Sequence, residues 1–292
     1  MLAAQGFYEI MTNSLVAKDT MDFLSSNQDT IDILNPLSSD LSVMRTSMLP
    51  SGLATIAHNN NRQQTHLKLF EFGTTYHKTE QGQKESGHLS IFISGNRQRD
   101  NWLVSNKPTD FFYLKGLVET ILNRLGLSET KTKPLAEHTI FTEGQSIYSG
   151  GKILCSYGVV DNSILRKMEV KNNVYFADFD WDVILDILDN DNITYREIPK
   201  FPEVTRDFAL LLDEDVKFQQ IVDIAWNTEK KLLKHVNLFD VYLGENLPEG
   251  KKSYAVSYTL QDENKTLTDK QIDKIMTKLK VNYEERLGAT LR

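Results

Sequence analysis

Across residues 198–292 the spacing of apolar side chains switches from two to three-and-four and back, in an order few folds accommodate. Asp207-Phe208-Ala209-Leu210-Leu211-Leu212 reads as a mostly buried strand. The acids Asp213-Glu214-Asp215 behind it read as the N-cap of a helix whose apolar positions are Phe218, Ile221, Val222 and Ala225. Residues 236–242 and 253–260 form two further strands, the second strictly alternating, joined as a hairpin. Thr268-Asp269-Lys270-Gln271 has the form of a capping box. Ile272, Ile275, Met276, Leu279 and Tyr283 then carry a helix to Gly288, and Ala289-Thr290-Leu291 follows as a short last strand. Strand, helix, strand, strand, helix, strand is the split βαβ order, in which two helices cover one sheet face and leave the other open. Such a face can hold single-stranded RNA by stacking bases on aromatics, which singles out Tyr242 and Tyr258. Aromatics favour strands for packing reasons alone, so pattern by itself favours reading both as ordinary half-buried sheet tyrosines.

At 292 residues the chain is long for one domain and suits two. Its 40% apolar and 25% charged residues are those of an ordinary globular protein, and no run of about eighteen apolar residues offers a membrane span. Met1-Leu2-Ala3-Ala4-Gln5-Gly6 lacks the basic start and apolar length of a signal peptide. The single cysteine, Cys155, excludes an internal disulfide and fits a reducing cytoplasm. Within the strand-like Lys152-Ile153-Leu154-Cys155-Ser156-Tyr157 it reads as a buried, inert thiol. A net charge of −7 is unpromising for a freestanding nucleic-acid binder. Residues 198–292 hold 15 basic against 16 acidic side chains, or −1, so the excess acid lies in residues 1–197. RNA binding by the C-terminal part therefore calls for basic surface from elsewhere in an assembly.

Ahead of that part the pattern is α+β with a largely antiparallel sheet. Residues 6–15 read as a turn into a strand, and Ile31-Asp32-Ile33-Leu34 as another, closed by Asn35-Pro36-Leu37-Ser38. Leu49-Pro50 opens a helix that runs to Arg62. Residues 67–72 and 89–93 are strands. Asp110 starts a helix that turns Leu114, Leu117, Val118, Ile121, Leu122 and Leu125 inward and stops at Gly126, and residues 147–154 fold as a hairpin around Gly150-Gly151. Asp189-Asn190-Asp191-Asn192 ends the domain, which puts the boundary at 196/197. His58, His66, His77, His88, His138 and His235 show no metal-ligand spacing, and GxxxxGK[ST], GxGxxG and GxSxG are all absent. The expectation is no metal site and no catalytic residue in this chain.

Four segments of the C-terminal part are more specific: Phe201-Pro202-Glu203-Val204-Thr205-Arg206-Asp207, Leu238-Phe239-Asp240-Val241-Tyr242, Pro248-Glu249-Gly250-Lys251-Lys252-Ser253 and Thr266-Leu267-Thr268-Asp269. In this order they resemble the ferredoxin-like anticodon-binding domain of bacterial phenylalanyl-tRNA synthetase beta subunits. The resemblance implies base-contacting roles for Ala209, Asp240, Tyr242 and Ser253. Their chemistry suits contact with bases, since they supply a stacking ring, an acceptor for a guanine edge, a hydroxyl, and a side chain small enough to leave room. Arg206, Lys251 and Lys252 are the expected phosphate contacts, with a solvated basic turn as the other reading of the two lysines. Gln5-Gly6-Phe7-Tyr8-Glu9-Ile10, Asn35-Pro36-Leu37-Ser38, Val43-Met44-Arg45-Thr46-Ser47-Met48-Leu49-Pro50, Leu69-Phe70-Glu71-Phe72-Gly73 and Phe112-Tyr113-Leu114-Lys115-Gly116 resemble the catalytic-like module of the same subunits. That module looks like a class II synthetase domain that has lost its chemistry.

The loss is readable in the residues. Class II sites hold ATP with an Arg-x-Glu after one strand and a Gly-rich segment ending in Glu-Arg, because a triphosphate needs bidentate guanidinium partners. Here the corresponding positions are His77-Lys78-Thr79-Glu80, without arginine, and Phe176-Ala177-Asp178-Phe179-Asp180-Trp181-Asp182-Val183, with acids instead. Asp178, Asp180 and Asp182 would repel a triphosphate. They read either as the centre of a small-molecule enzyme or as an N-cap at Asp180 flanked by solvated acids. The resemblance implies a non-catalytic portion that docks the catalytic alpha subunit in an α2β2 heterotetramer and binds the anticodon region of tRNA-Phe. ATP, magnesium and phenylalanine then belong to the partner, in the cytoplasm. A pure assembly scaffold is the competing reading. Arg45 reads equally as a subunit contact or as a local salt bridge. The family's longer subunits carry N-terminal tRNA-binding and editing domains that are not recognisable here, so the chain reads as a truncated piece of one.

Overall fold

The computed structural model describes residues 1–22, 30–98, 102–103, 105, 107–127, 130–135, 140–188, 197–244 and 247–291. The chain divides into two compact units, Met1–Asn192 and Ile193–Arg292. The expected boundary at 196/197, the acidic stretch Asp189 to Asn192 and His138 adjoin or lie outside the described residues.

The first unit runs β1 (Tyr8–Glu9), β2 (Leu15–Val16), α1 (Lys18–Asp22), β3 (Val43–Met44), α2 (Leu49–Asn60), β4 (Leu67–Thr79), β5 (Gly82–Ser94), α3 (Phe111–Arg124), β6 (Lys131–Pro134), β7 (Phe141–Ser149), β8 (Lys152–Val160), α4 (Asn162–Lys167), β9 (Val174–Asp180) and α5 (Trp181–Leu188). Among the described residues its main sheet has the order β1-β4-β5-β9-β8-β7-β6, antiparallel throughout except where β1 meets β4. Alternation along β5 assigns the two faces. Leu89, Ile91 and Ile93 pack with α3 and α5, whereas Phe92 packs with Leu49, Leu53 and Ile56 of α2. Helix α2 lies close to the sheet because Gly52 has no side chain: a Cβ there would stand 2.2 Å from the Phe92 ring. Asp110 caps α3 by accepting from the Tyr113 N–H at 2.8 Å. Gly150 and Gly151, both at positive φ, turn the β7–β8 hairpin. Cys155 is fully buried and its thiol pKa is pushed up by that burial. The strand expected at Ile31-Asp32-Ile33-Leu34 reduces to one bridge from Asp32 to Val43. Leu34 is 93% exposed, so the alternation has no surface to lie against.

The second unit runs β10 (Val204–Asp213), α6 (Phe218–Thr228), β11 (Leu233–Tyr242), β12 (Lys251–Leu260), α7 (Asp269–Leu287) and β13 (Thr290–Leu291). Its sheet is antiparallel in the order β11-β12-β10-β13, the split βαβ topology, with α6 and α7 on one face. Leu210, Leu212, Tyr254, Val256, Tyr258 and Leu260 meet Ile221, Ile224, Ile272, Ile275 and Leu279 in the core between sheet and helices. Gln271 closes the expected box at Thr268 (3.2 Å), and Gly288 at φ 60° ends α7. The cap expected at Asp213-Glu214-Asp215 is displaced: α6 starts behind Lys217, whose backbone N–H donates to Gln220 at 2.7 Å. Asp213 stays in the sheet because Lys251 faces it, 2.7 Å away. Among the described residues no helix is long and apolar enough to cross a membrane.

Candidate nucleic-acid interface

The sheet face of the second unit that bears no helix is built in rows across β11, β12 and β10. Asp240, Ala255 and Ala209 form one row, and Tyr242, Ser253 and Leu211 the next. The four residues singled out from sequence therefore lie in two adjoining rows of one sheet face, where Asp240 and Tyr242 are exposed, Ala209 is half-buried and Ser253 is only 7% exposed. Strict alternation would not put them there. His235 and Asn237 face the open side and Val236 and Leu238 the helices, so Asp240 and Tyr242 would have turned inward. A β-bulge between Leu238 and Asp240 absorbs Phe239 as an extra residue and inverts the pattern. Tyr242 is 38% exposed, and its ring lies against Gly244, where a Cβ would come within 2.2 Å of the ring and hydroxyl. Gly244 was not singled out from sequence; a glycine two residues beyond a strand aromatic is its only signal.

Other expected contacts sit elsewhere. Tyr258 is fully buried on the helix side, 5.5 Å from the Phe208 ring and 6.3 Å from that of Tyr283, so it belongs to the core and cannot stack a base. Lys252 also turns to the helix side. It is 8% exposed, donates to the Glu214 carbonyl at 2.7 Å and covers the Tyr254 ring, so its ammonium is committed within the fold rather than presented to phosphate. Arg206, paired with Tyr258, is on that side too, 3.6 Å from Asp269. Lys251 is on the open face but ion-paired with Asp213.

In the first unit the three acids are each engaged. Asp178 contacts His88 at 3.0 Å and accepts from Ser90 at 2.6 Å. Asp180 caps α5 by accepting from the Val183 N–H at 3.0 Å, and Asp182 accepts from the Gly87 N–H at 2.7 Å. The N-cap reading is thus the right one for Asp180, while Asp178 and Asp182 are partnered rather than merely solvated. Arg45 is 2% exposed and bonds Glu71 (3.2 Å), Thr12 (2.7 Å) and the Thr74 carbonyl (3.0 Å), so it is an internal salt bridge and is not available as a subunit contact.

Burial works to lower the pKa of His88, but Asp178, with Asp180 and Asp182 behind it, outweighs that and holds it above the ordinary 6.5. A raised folded-state pKa contributes stability that is fully present below the unfolded value and is lost as pH rises through the folded one. The stability gap between the wild type and His88→Gln is therefore expected to be widest below pH 6.5 and to close above it. Melting temperatures across pH check this, and a gap that widens with pH would contradict it.

Residues 1–181 match the family described as "Phenylalanyl tRNA synthetase beta chain CLM domain", and residues 199–292 that described as "Ferredoxin-fold anticodon binding domain". The chain belongs to the phenylalanyl-tRNA synthetase beta chain family. Over its whole length it is 44% identical to the phenylalanine–tRNA ligase beta subunit of Bacteroides fragilis, 40% to that of Porphyromonas gingivalis and 35% to that of Clostridium acetobutylicum. It spans only 36–37% of the length of these relatives. Among solved structures, pyrrolysyl-tRNA synthetase from Desulfitobacterium hafniense shares its fold at a TM-score of 0.51 and 16% identity, covering 64% of this chain and 65% of that one. Membership of the beta chain family accounts for both units in the order their motifs anticipated: a class II synthetase-like sheet domain, then a ferredoxin-like one.

Proposed function

We propose that this beta-chain portion serves phenylalanine–tRNA ligase without catalysing the reaction itself: its first unit docks the alpha subunit and its second binds the anticodon region of tRNA-Phe. The observation that carries the reading is the open face, where Tyr242, Asp240, Ser253 and Ala209 lie in two neighbouring rows, with a ring for stacking beside acceptor and hydroxyl groups for a base edge. The first unit does not fit ATP. Around the β4–β5 hairpin and β9 it presents Asp178, Asp180 and Asp182, and Arg45, on the same unit, is bound to Glu71. ATP and magnesium accordingly belong to the alpha subunit, in a cytoplasmic α2β2 assembly.

The charge of the face speaks for the scaffold alternative. Asp207 and Asp240 are exposed on it, and its lysine is spent on Asp213. Carboxylates repel phosphate, so an RNA held here is gripped by its bases, with its backbone neutralised by other parts of the assembly. The test is tRNA-Phe binding by the chain assembled with its alpha subunit, comparing wild type with Tyr242→Ala at two salt concentrations. Loss of a stacked base costs about 1–3 kcal/mol and leaves the salt slope unchanged. Unchanged affinity would leave the scaffold reading standing.

A further inference from the structure

We propose that Asn237, Ser257 and Asp207 form a second base-reading subsite that takes an amino-bearing base, an adenine in this RNA, next to the one stacked on Tyr242; this rests on the anticodon reading of the open face. The three residues pair in register across β11, β12 and β10 as the row adjoining Asp240, Ala255 and Ala209. Same-face rows of a sheet stand about 6.8 Å apart and the outer strands of a row about 9.6 Å apart, room for one base laid over Ser257.

Two further observations point to a ligand. Asn237 and Asp207 are exposed and Ser257 is half-buried, and among the described residues none of the three side chains has a hydrogen-bond or ion-pair partner. Their backbone groups belong to the sheet ladder, so the side chains hold the unspent capacity. Asn and Asp are also among the residues strands disfavour, and here they flank the central strand in one row.

The donor and acceptor pattern sets the base class. Adenine offers an amino group beside a ring-nitrogen acceptor, and the Asn237 amide matches that pair with two parallel hydrogen bonds. The Asp207 carboxylate accepts only, so it takes a proton of an exocyclic amino group and repels the keto oxygens of uracil. Ser257 donates or accepts as the base requires. Phenylalanine codons begin with two uracils, so the anticodon opposite them supplies adenines.

The test uses the chain assembled with its alpha subunit and tRNA-Phe transcripts in which each anticodon adenine is replaced in turn by purine riboside, which lacks the amino group. Asn237→Ala is expected to weaken binding of the unmodified tRNA about tenfold. One of the replaced transcripts binds wild type as weakly, and with that transcript Asn237→Ala costs nothing more. An Asn237→Ala loss that is the same for every transcript, or no loss from Asn237→Ala and Asp207→Ala while Tyr242→Ala still weakens binding, overturns the subsite and leaves the platform intact. If Tyr242→Ala has no effect either, the platform fails as well. The two substituted positions, Asn237 and Asp207, are exposed, so unchanged melting temperatures separate lost contacts from lost fold.

Discussion

Arg45→Met is expected to destabilise the first unit by about 3–5 kcal/mol, the cost of leaving a buried charge without its partner. The guanidinium is 2% exposed and holds Glu71, itself 1% exposed, together with Thr12 and the Thr74 carbonyl. Gly73 makes the space: a Cβ there would come 2.4 Å from an Arg45 nitrogen. Truncation removes the cation and strands the carboxylate in the core, where among the described residues Thr12 alone still donates to it, through its backbone N–H and hydroxyl. Denaturant unfolding of Arg45→Met, Glu71→Leu and the double variant decides the point. The double variant should recover much of the loss, since an apolar pair of similar volume replaces a buried ion pair at little cost. Two single variants that are each nearly neutral would mean the pair is not buried as described.

Tyr258→Ala should cost the second unit about 3–5 kcal/mol, as large aromatic truncations in cores do. The ring fills the space between Phe208 and Tyr283, beneath α7, whose Tyr283 hydroxyl donates to the Ile221 carbonyl at 3.2 Å. Tyr242→Ala, on the opposite side of the same sheet and 38% exposed, is expected to change stability little and RNA binding much. The paired measurement of thermal unfolding and tRNA affinity separates the two tyrosines. A Tyr258→Ala protein that melts like wild type and binds RNA poorly would reverse their roles.

What the sequence made legible was decided by how local each signal was. The span of α7 is set by Thr268, Gln271 and Gly288, all within or beside the helix, and it appears where they place it. In β12 every second residue from Tyr254 to Leu260 is apolar, so the inward direction of Tyr258 is readable from its own strand. The direction of Tyr242 is not, because one added residue reverses a strand of period two and nothing in Leu238-Phe239-Asp240 marks which of them is surplus. The aromatic-platform argument proposed the open face for Tyr242 and Tyr258 alike, and of the two only Tyr242 was also singled out by the family resemblance. Arg45 was undecidable for a different reason: Glu71 is 26 residues away, on a strand whose approach is fixed by tertiary packing. Lys252 departs from the expected phosphate contact because a basic doublet beside a turn gives no sign that strand parity sends its second member under the sheet.

The irregularity of β11 has a bearing on self-association. This strand is the outermost of its sheet, and an outermost strand with a long, flat run of unpaired backbone groups is a template on which a second copy can dock. Register shifts at Leu233/His235 and Leu238/Asp240 leave four regular residues and then three. Neither run is long enough to recruit another chain strongly, although Phe239, Val241 and Leu243 are exposed nearby and would reward it. The opposite border is covered over Leu210 and Leu211 by β13, and Arg206 and Asp207 place charge on the stretch beyond. A sheet with one face bare of helices is in this way denied to copies of itself.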